Sequence, residues 1–233
     1  LNCQIKRMKK IINGDCREKL PFLIRKLKKE FVIVTDVPFN INYHYNKYTD
    51  NLEEDEYYEM LGEVFSYGAF VVIHYPEQIY RIAFQVGEFP ERVVSWVYNS
   101  NTPRQHRDIA FFGIKPDFRK VGQPYKNPTD KRIRKRIEQG KSAKLYDWWY
   151  INQVKNVSEE KTEHPCQMPL EVMKNIVGLL PENMVIIDPF AGSGTTAVAC
   201  EILKRDYIMI EIDKSYCEII KKRVKNVQFD LNY

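Results

Sequence analysis

A chain of 233 residues, 44% of them hydrophobic, has the length of one α/β domain with elaborations and enough apolar residues to bury a core. No apolar run approaches the ~20 residues that cross a bilayer, and the first ten residues hold four Lys or Arg without the apolar stretch of a secretory leader, so neither a membrane partner nor an export signal is expected. Five dispersed cysteines with no CxxC pair argue against a zinc or other metal site and fit a reducing, cytoplasmic setting.

In chain order, residues 31–35 (FVIVT) and 69–74 (AFVVIH) read as buried strands, with a helix over 55–67 between them. Residues 92–97 (RVVSWV) and 109–114 (IAFFGI) read as a further strand pair. The stretch 115–144 carries eleven Lys or Arg against three acids, so it holds +8 of a net +5 and the rest of the chain is −3. Such a block attracts a polyanion through counterion release, and it is also what a solvated charged loop looks like. Beyond it come a helix over 169–180 with Pro169 in its first turn, a strand over 184–188 (MVIID), a helix over 195–204, a strand over 208–212 (IMIEI) and a helix over 216–224. Continuous rather than alternating apolar runs indicate strands covered on both faces. The expected fold is therefore α/β, a mixed, mostly parallel sheet with helices on both faces, formed by residues 1–233 as a single domain.

Residues 187–196 (IDPFAGSGTT) place a glycine loop between a strand and a helix. Gly192 and Gly194 let the backbone turn tightly against a ligand, and the helix start behind them presents unpaired N–H groups. A nucleoside triphosphate fits poorly, because Thr195 stands where a phosphate-binding loop needs Lys. A dinucleotide fits the spacing Gly192-x-Gly194-x-x-Ala197, with Glu211 as the later acid. However, only 39 residues follow Gly194, too few to build the usual strands after the loop. The third ligand is S-adenosylmethionine, which has a ribose and no phosphate.

A second cluster, Asp36-Val37-Pro38-Phe39-Asn40, ends the first long strand, where open α/β sheets bind ligands. The amino nitrogen of adenine or cytosine is a poor nucleophile because its lone pair is delocalised into the ring. Acceptors for both of its hydrogens draw it toward tetrahedral geometry. On that reading Asp36 would supply one acceptor, the Val37 carbonyl the other, and Phe39 a stacking surface for a base taken out of the duplex; taken alone, the same residues are also those of a simple strand-to-loop turn.

Several stretches together resemble the permuted β-class DNA amino-methyltransferases of bacterial and phage modification systems. DVPFN is similar to their Asp/Asn/Ser-Pro-Pro-aromatic signature, and DPFAGSGTT to their S-adenosylmethionine loop. HPCQMPL (164–170) resembles H-P-x-Q-K-P-L, IEID (210–213) followed by Tyr216 resembles G-x-E-x-D-x-x-Y, and NGDC (13–16) resembles their opening. The catalytic motif precedes the cofactor loop, as in that permuted class. Val37 departs from the first proline of the signature and Met168 from its lysine.

The resemblance implies an S-adenosylmethionine-dependent, Rossmann-like methyltransferase fold with S-adenosyl-L-methionine as cofactor and double-stranded DNA as substrate. It implies Asp36, Val37, Pro38 and Phe39 at the reacting amino group. Asp188, Phe190, Gly192, Gly194 and Thr195 would line the cofactor, Glu211 would hold its ribose hydroxyls, Asp15 and Cys16 would approach its adenine, and His164 and Gln167 would lie near its methionine end. Arg104 and Arg107 lie in a loop that in the family is close to DNA, so they would face phosphates or stand on a plain surface loop; over 115–150 the resemblance is weakest, and there it is the charge block that makes Lys131, Arg132, Arg134, Lys135 and Arg136 phosphate contacts of a target-recognition insertion. Tyr43, His44 and Tyr45 would cover the base or pack beside it. Asp at the head of the motif goes mostly with N6-adenine in this family and Ser with N4-cytosine. A homodimer and a separately encoded restriction nuclease are the partners such systems suggest, in the cytoplasm of a bacterium, an archaeon or a phage-infected cell. Rival readings are N4-cytosine methylation, a catalytically impaired DNA-binding relative, an RNA or protein amino-methyltransferase, and a nicotinamide-dependent oxidoreductase.

Overall fold

The structure, a computed structural model, describes residues 7–43, 45, 47–48, 50–155, 158 and 160–230, with side chains to 227; His44 lies outside them. Seven helices and ten strands follow one another among these residues. The first half holds β1 (Lys9–Asn13), α1 (Cys16–Lys26), β2 (Phe31–Asp36), α2 (Glu54–Phe65), β3 (Phe70–His74), α3 (Pro76–Val86), β4 (Arg92–Val97) and β5 (His106–Phe112). The second half holds β6 (Gly122–Gln123), α4 (Lys131–Glu138), β7 (Ala143–Lys144), β8 (Trp148–Tyr150), α5 (Leu170–Leu179), β9 (Val185–Asp188), α6 (Thr195–Ile202), β10 (Tyr207–Glu211) and α7 (Lys214–Asp230).

Eight strands form one sheet in the order β1-β10-β9-β2-β3-β5-β4-β8. β1, β10, β9, β2 and β3 run parallel, and β5 is antiparallel to both β3 and β4. The expected mixed, mostly parallel sheet is what forms, and the 92–97 and 109–114 runs do pair with each other.

Alternate side chains along each strand feed two separate cores. Val32, Val34, Val71, Ile73, Ile186 and Met209 pack with Val172, Ile176, Ala197 and Ile220 of α5, α6 and α7. Ile33, Phe70, Val72, Ile187, Ile208 and Ile210 pack with Leu20, Leu61, Val64 and Ile82 of α1, α2 and α3. Burial on both faces is why these strands are apolar throughout.

The topology positions the site. From β2 the chain crosses by α2 to β3 on one side, and from β9 it crosses by α6 to β10 on the other. The β2–β9 boundary is thus a topological switch point, whose carboxyl-end crevice is where such sheets hold ligands.

The basic segment divides in two. Helix α4 has no buried residue and is capped by Asp130, whose carboxylate accepts from Arg132 N and Ile133 N. From Leu145 the chain returns to the core: Leu145 and Trp149 are buried, and β8 pairs with β4 at the sheet edge. Trp148 and Tyr150, on either side of Trp149, are exposed, as strand alternation requires.

Candidate active site

The carboxyl ends of β1, β10, β9 and β2 open onto one cavity of about 390 Å³, a volume suited to a cofactor-sized ligand. Asp15, Cys16 and Glu211 line it beyond β1 and β10, Asp188, Phe190, Gly192 and Thr195 beyond β9, and Asp36–Phe39 beyond β2; His164 lines it as well. The two clusters read separately from the sequence therefore share one pocket. Gln167 and Gly194 stand outside its lining. The Gln167 amide is occupied one step back, accepting from Thr162 N and Thr162 Oγ1 and donating to Glu160 O at 2.5 Å. Gly194 caps α6 at φ +78°, and a Cβ there would meet Ile220 of α7 at 2.6 Å, so its left-handed backbone and the packing of α7 both call for glycine. At Gly192, φ +51°, a Cβ would meet His164 Nε2 at 2.9 Å.

Asp188 ties the switch point together. Its carboxylate accepts from Thr35 Oγ1 of β2 at 2.8 Å, Thr196 Oγ1 of α6 at 2.6 Å and Phe190 N at 3.1 Å. Burial pushes it up to about 6 despite these donors. Glu211 accepts Gly192 N–H at 2.7 Å on one oxygen and Asp213 N–H at 2.8 Å on the other; burial raises it to about 7. Each oxygen has a second lone pair, enough to accept two vicinal hydroxyls. Asp15 caps α1 through Arg17 N, and its pairing with the Arg17 side chain holds its carboxyl below the ordinary value. Burial pushes the Cys16 thiol up to about 12, so it is a neutral wall residue. His164 accepts from Cys166 N through Nδ1, and burial together with Lys161 and Arg223 lowers it to about 4.

At the other end, burial raises Asp36 to about 6, partly offset by Arg107. Its Oδ1 is buried with no hydrogen-bond partner among the described residues. Val37 is buried against the α1–α2 core, so the departure from proline leaves an apolar anchor in place. The Phe39 ring stacks on His74 with centroids 4.3 Å apart. The loop that follows is pinned by Asp50, whose carboxylate accepts from Asn40 N, Ile41 N and Tyr43 N. Tyr45 packs between Tyr43 and His164, with centroids 5.0 and 6.2 Å away.

Sequence reading missed two supports and gave a third residue another role. His74 accepts from Tyr75 N through Nδ1 at 2.8 Å, which leaves Nε2 as the donor to the Tyr57 hydroxyl at 3.1 Å. That hydroxyl donates to Pro38 O at 2.7 Å and so clamps the catalytic turn. Arg223 of α7 donates to Ser193 O, Ser193 Oγ and Thr195 Oγ1, holding the glycine loop. The third is Arg107. Whereas Arg104 is exposed and paired with Glu77 at 2.8 Å, the Arg107 side chain is 17% exposed and lines the pocket. The phosphate contact expected of Arg107 therefore has no exposed guanidinium to make it. No sequence motif marks Arg107 or His74; only the neighbouring strand ends bring them to Asp36.

Among the described residues no group of three or more His, Cys, Asp or Glu could hold a metal ion, and no helix is long and apolar enough to cross a membrane.

A family model described as DNA methylase (N6_N4_Mtase) matches residues 31–222. The type II methyltransferase M.BglII of Bacillus subtilis is 27% identical over 91% of this chain and 68% of its own. M.HpaI of Haemophilus parainfluenzae is 28% identical over 83% of this chain and 67% of its own. Among solved structures, the M1.HpyAVI–SAM complex superposes with a TM-score of 0.64 at 24% identity, covering 92% of this chain and 98% of that one. The PvuII DNA methyltransferase (cytosine-N4-specific) does so with a TM-score of 0.65 at 17% identity, covering 97% and 93%. These two likenesses are in fold.

Proposed function

The chain belongs to the N6/N4 DNA methylase family, and from that premise we propose that it methylates the exocyclic amino group of a flipped base in double-stranded DNA, N6 of adenine, with S-adenosyl-L-methionine as donor. The observation that carries the reading is the buried Asp36 Oδ1, without a hydrogen-bond partner among the described residues, in the same pocket as the glycine loop and Glu211. The residues fit the cofactor. Glu211 offers two free acceptor positions to the ribose hydroxyls, and the pocket runs unbroken from there past the glycine loop to Asp36.

When bound, the cofactor supplies an electrophilic methyl group on a sulfonium. Asp36 accepts one amino hydrogen, the Val37 carbonyl the other, and the nitrogen lone pair is freed for the methyl. The amino group gains a methyl and gives up one proton, which the Asp36 carboxylate, held near 6, can take up. The Tyr57–His74 clamp on Pro38 O keeps the turn in register. The exposed cations of α4 supply phosphate contacts in a target-recognition segment that ends before Leu145, where the chain returns to the core.

Adenine is favoured by Asp at the head of the motif. The fold likeness to PvuII methyltransferase, cytosine-N4-specific, favours N4-cytosine as the second reading. Labelled methyl transfer to mixed-sequence DNA, followed by nucleoside mass analysis, tests both: N6-methyladenine is expected, and N4-methylcytosine as sole product would overturn the choice of base while leaving the reaction class standing.

A further inference from the structure

Resting on that methyltransferase reading, we propose that Arg107 reads the ring edge of the target base, donating to the ring nitrogen beside the amino group that Asp36 engages. Three buried polar atoms of the pocket lining lack hydrogen-bond partners among the described residues, Asp36 Oδ1, Arg107 Nε and the Tyr48 hydroxyl, and the first two are complementary. Asp36 Oδ1 is an acceptor and Arg107 Nε–H is a donor. The two side chains lie beside each other without satisfying each other: Arg107 Nη1 is 3.9 Å from Asp36 Oδ2, beyond hydrogen-bond length. A buried donor and a buried acceptor left open each cost stability; the two side chains line the pocket and keep 17% and 18% of their surface exposed there, so a small turn of each brings the pair to one ligand edge.

The order of the pair names that edge. Adenine and cytosine both present an amino N–H next to a ring nitrogen acceptor, which matches acceptor Asp36 beside donor Arg107. Guanine and thymine present a carbonyl next to a ring N–H, which sets acceptor against acceptor and donor against donor. Flipped bases are read on this Watson–Crick edge.

The guanidinium is held in place to do so. Its central carbon lies 4.5 Å from the centroid of Phe39, 5.4 Å from Trp96, 5.7 Å from Tyr75 and 5.9 Å from Tyr98, a cage of four rings. Nη1 also meets the Met168 sulfur at 3.9 Å. A lysine at 168 would bring a second cation to that spot, so Met168 and Arg107 are mutually compatible choices. Phe39, stacked on His74, thus acts as a wall that orients Arg107.

The test is a cycle of enzyme and substrate variants. Once the methylated site is mapped on plasmid DNA, the wild type, Arg107→Met and Arg107→Lys are assayed on oligonucleotides carrying the natural target base or its deaza analogue, in which C–H replaces the ring nitrogen (1-deazaadenine or 3-deazacytosine). A charge-assisted bond of this kind is worth about ten- to a hundredfold. The wild type should lose that factor in kcat/KM on the deaza base, and Arg107→Met should lose it on the natural base but show no further loss on the deaza base. Arg107→Lys keeps the charge without the planar fork and should fall between them. Unchanged cofactor affinity shows that the variants are folded. Losses that multiply independently, or a wild type indifferent to the ring nitrogen, overturn the assignment and leave Arg107 as a counter-ion of Asp36. A wild type with no methyl transfer to any DNA defeats the underlying reading, and is seen before any variant is made.

Discussion

The strand-end pocket and the basic stretch around α4 carry charge in opposite ways. In the pocket, Asp188 and Glu211 are buried and Asp36 is half-buried; burial pushes the three up to about 6, 7 and 6, and the oxygens of Asp188 and Glu211 accept from donors outside their own strands. Around α4 the charges are exposed and local, with Asp130 capping its own helix. Few charges in a low-dielectric crevice each matter individually, because their partners cannot be replaced by water. Many charges in water matter only as a sum.

The largest break in this contrast is Asp36→Ala. If Asp36 engages the amino group as proposed, its removal should lower kcat about a hundred- to a thousandfold, with cofactor affinity unchanged by calorimetry; equal loss of both would move Asp36 to the cofactor half. In the wild type, kcat should fall about tenfold per pH unit below about 6, where Asp36 takes up a proton and ceases to accept. Stability has the opposite sign. A carboxyl raised above its ordinary 3.8 favours the protonated folded state, so its contribution is present at low pH and lost as pH rises through 6. Asp36→Asn should remove that acid-side gain from the pH profile of Tm.

Glu211→Ala comes next, weakening cofactor binding about ten- to a hundredfold while leaving kcat at saturating cofactor near wild type. An unchanged dissociation constant would take Glu211 out of the site. Thr196→Val removes one of three donors to Asp188 and should cost about 1–3 kcal/mol of stability, read by denaturant titration. The smallest effect on the fold should come from neutralising Lys131, Arg132, Arg134, Lys135 and Arg136 together: within about 0.5 kcal/mol, since α4 buries none of its residues. The same variant should flatten the log–log salt dependence of DNA binding by about 0.9 per lost phosphate contact; a full slope would show these cations to be bystanders.

Much of this molecule was legible in its sequence, for local reasons. Buried strands reveal themselves as apolar runs, and β2, β3, β9 and β10 lie within a residue or two of the expected stretches. The glycine loop and DVPFN are contiguous motifs, so their position at strand ends could be read directly. Other elements hide because their local signals conflict. Helix α1 carries Pro21 in its interior, α3 exposes Tyr80 and Phe84 and so blurs its apolar stripe, and edge strand β1 begins with two lysines.

What only the tertiary structure decided is which distant residues meet. Gly194 is glycine in part because Ile220 of α7 packs against it, Asp188 is satisfied by hydroxyls from β2 and α6, and Pro38 is clamped through His74 of the next strand. Arg107 reads in the sequence as one more cation in a polar loop. The antiparallel pairing of β5 with β3, at His74 opposite Asp108, carries it beside Asp36. Local pattern set the strands and the motifs because neighbouring residues determine propensity and periodicity; the company each charged group keeps was set by strand order, which no local pattern encodes.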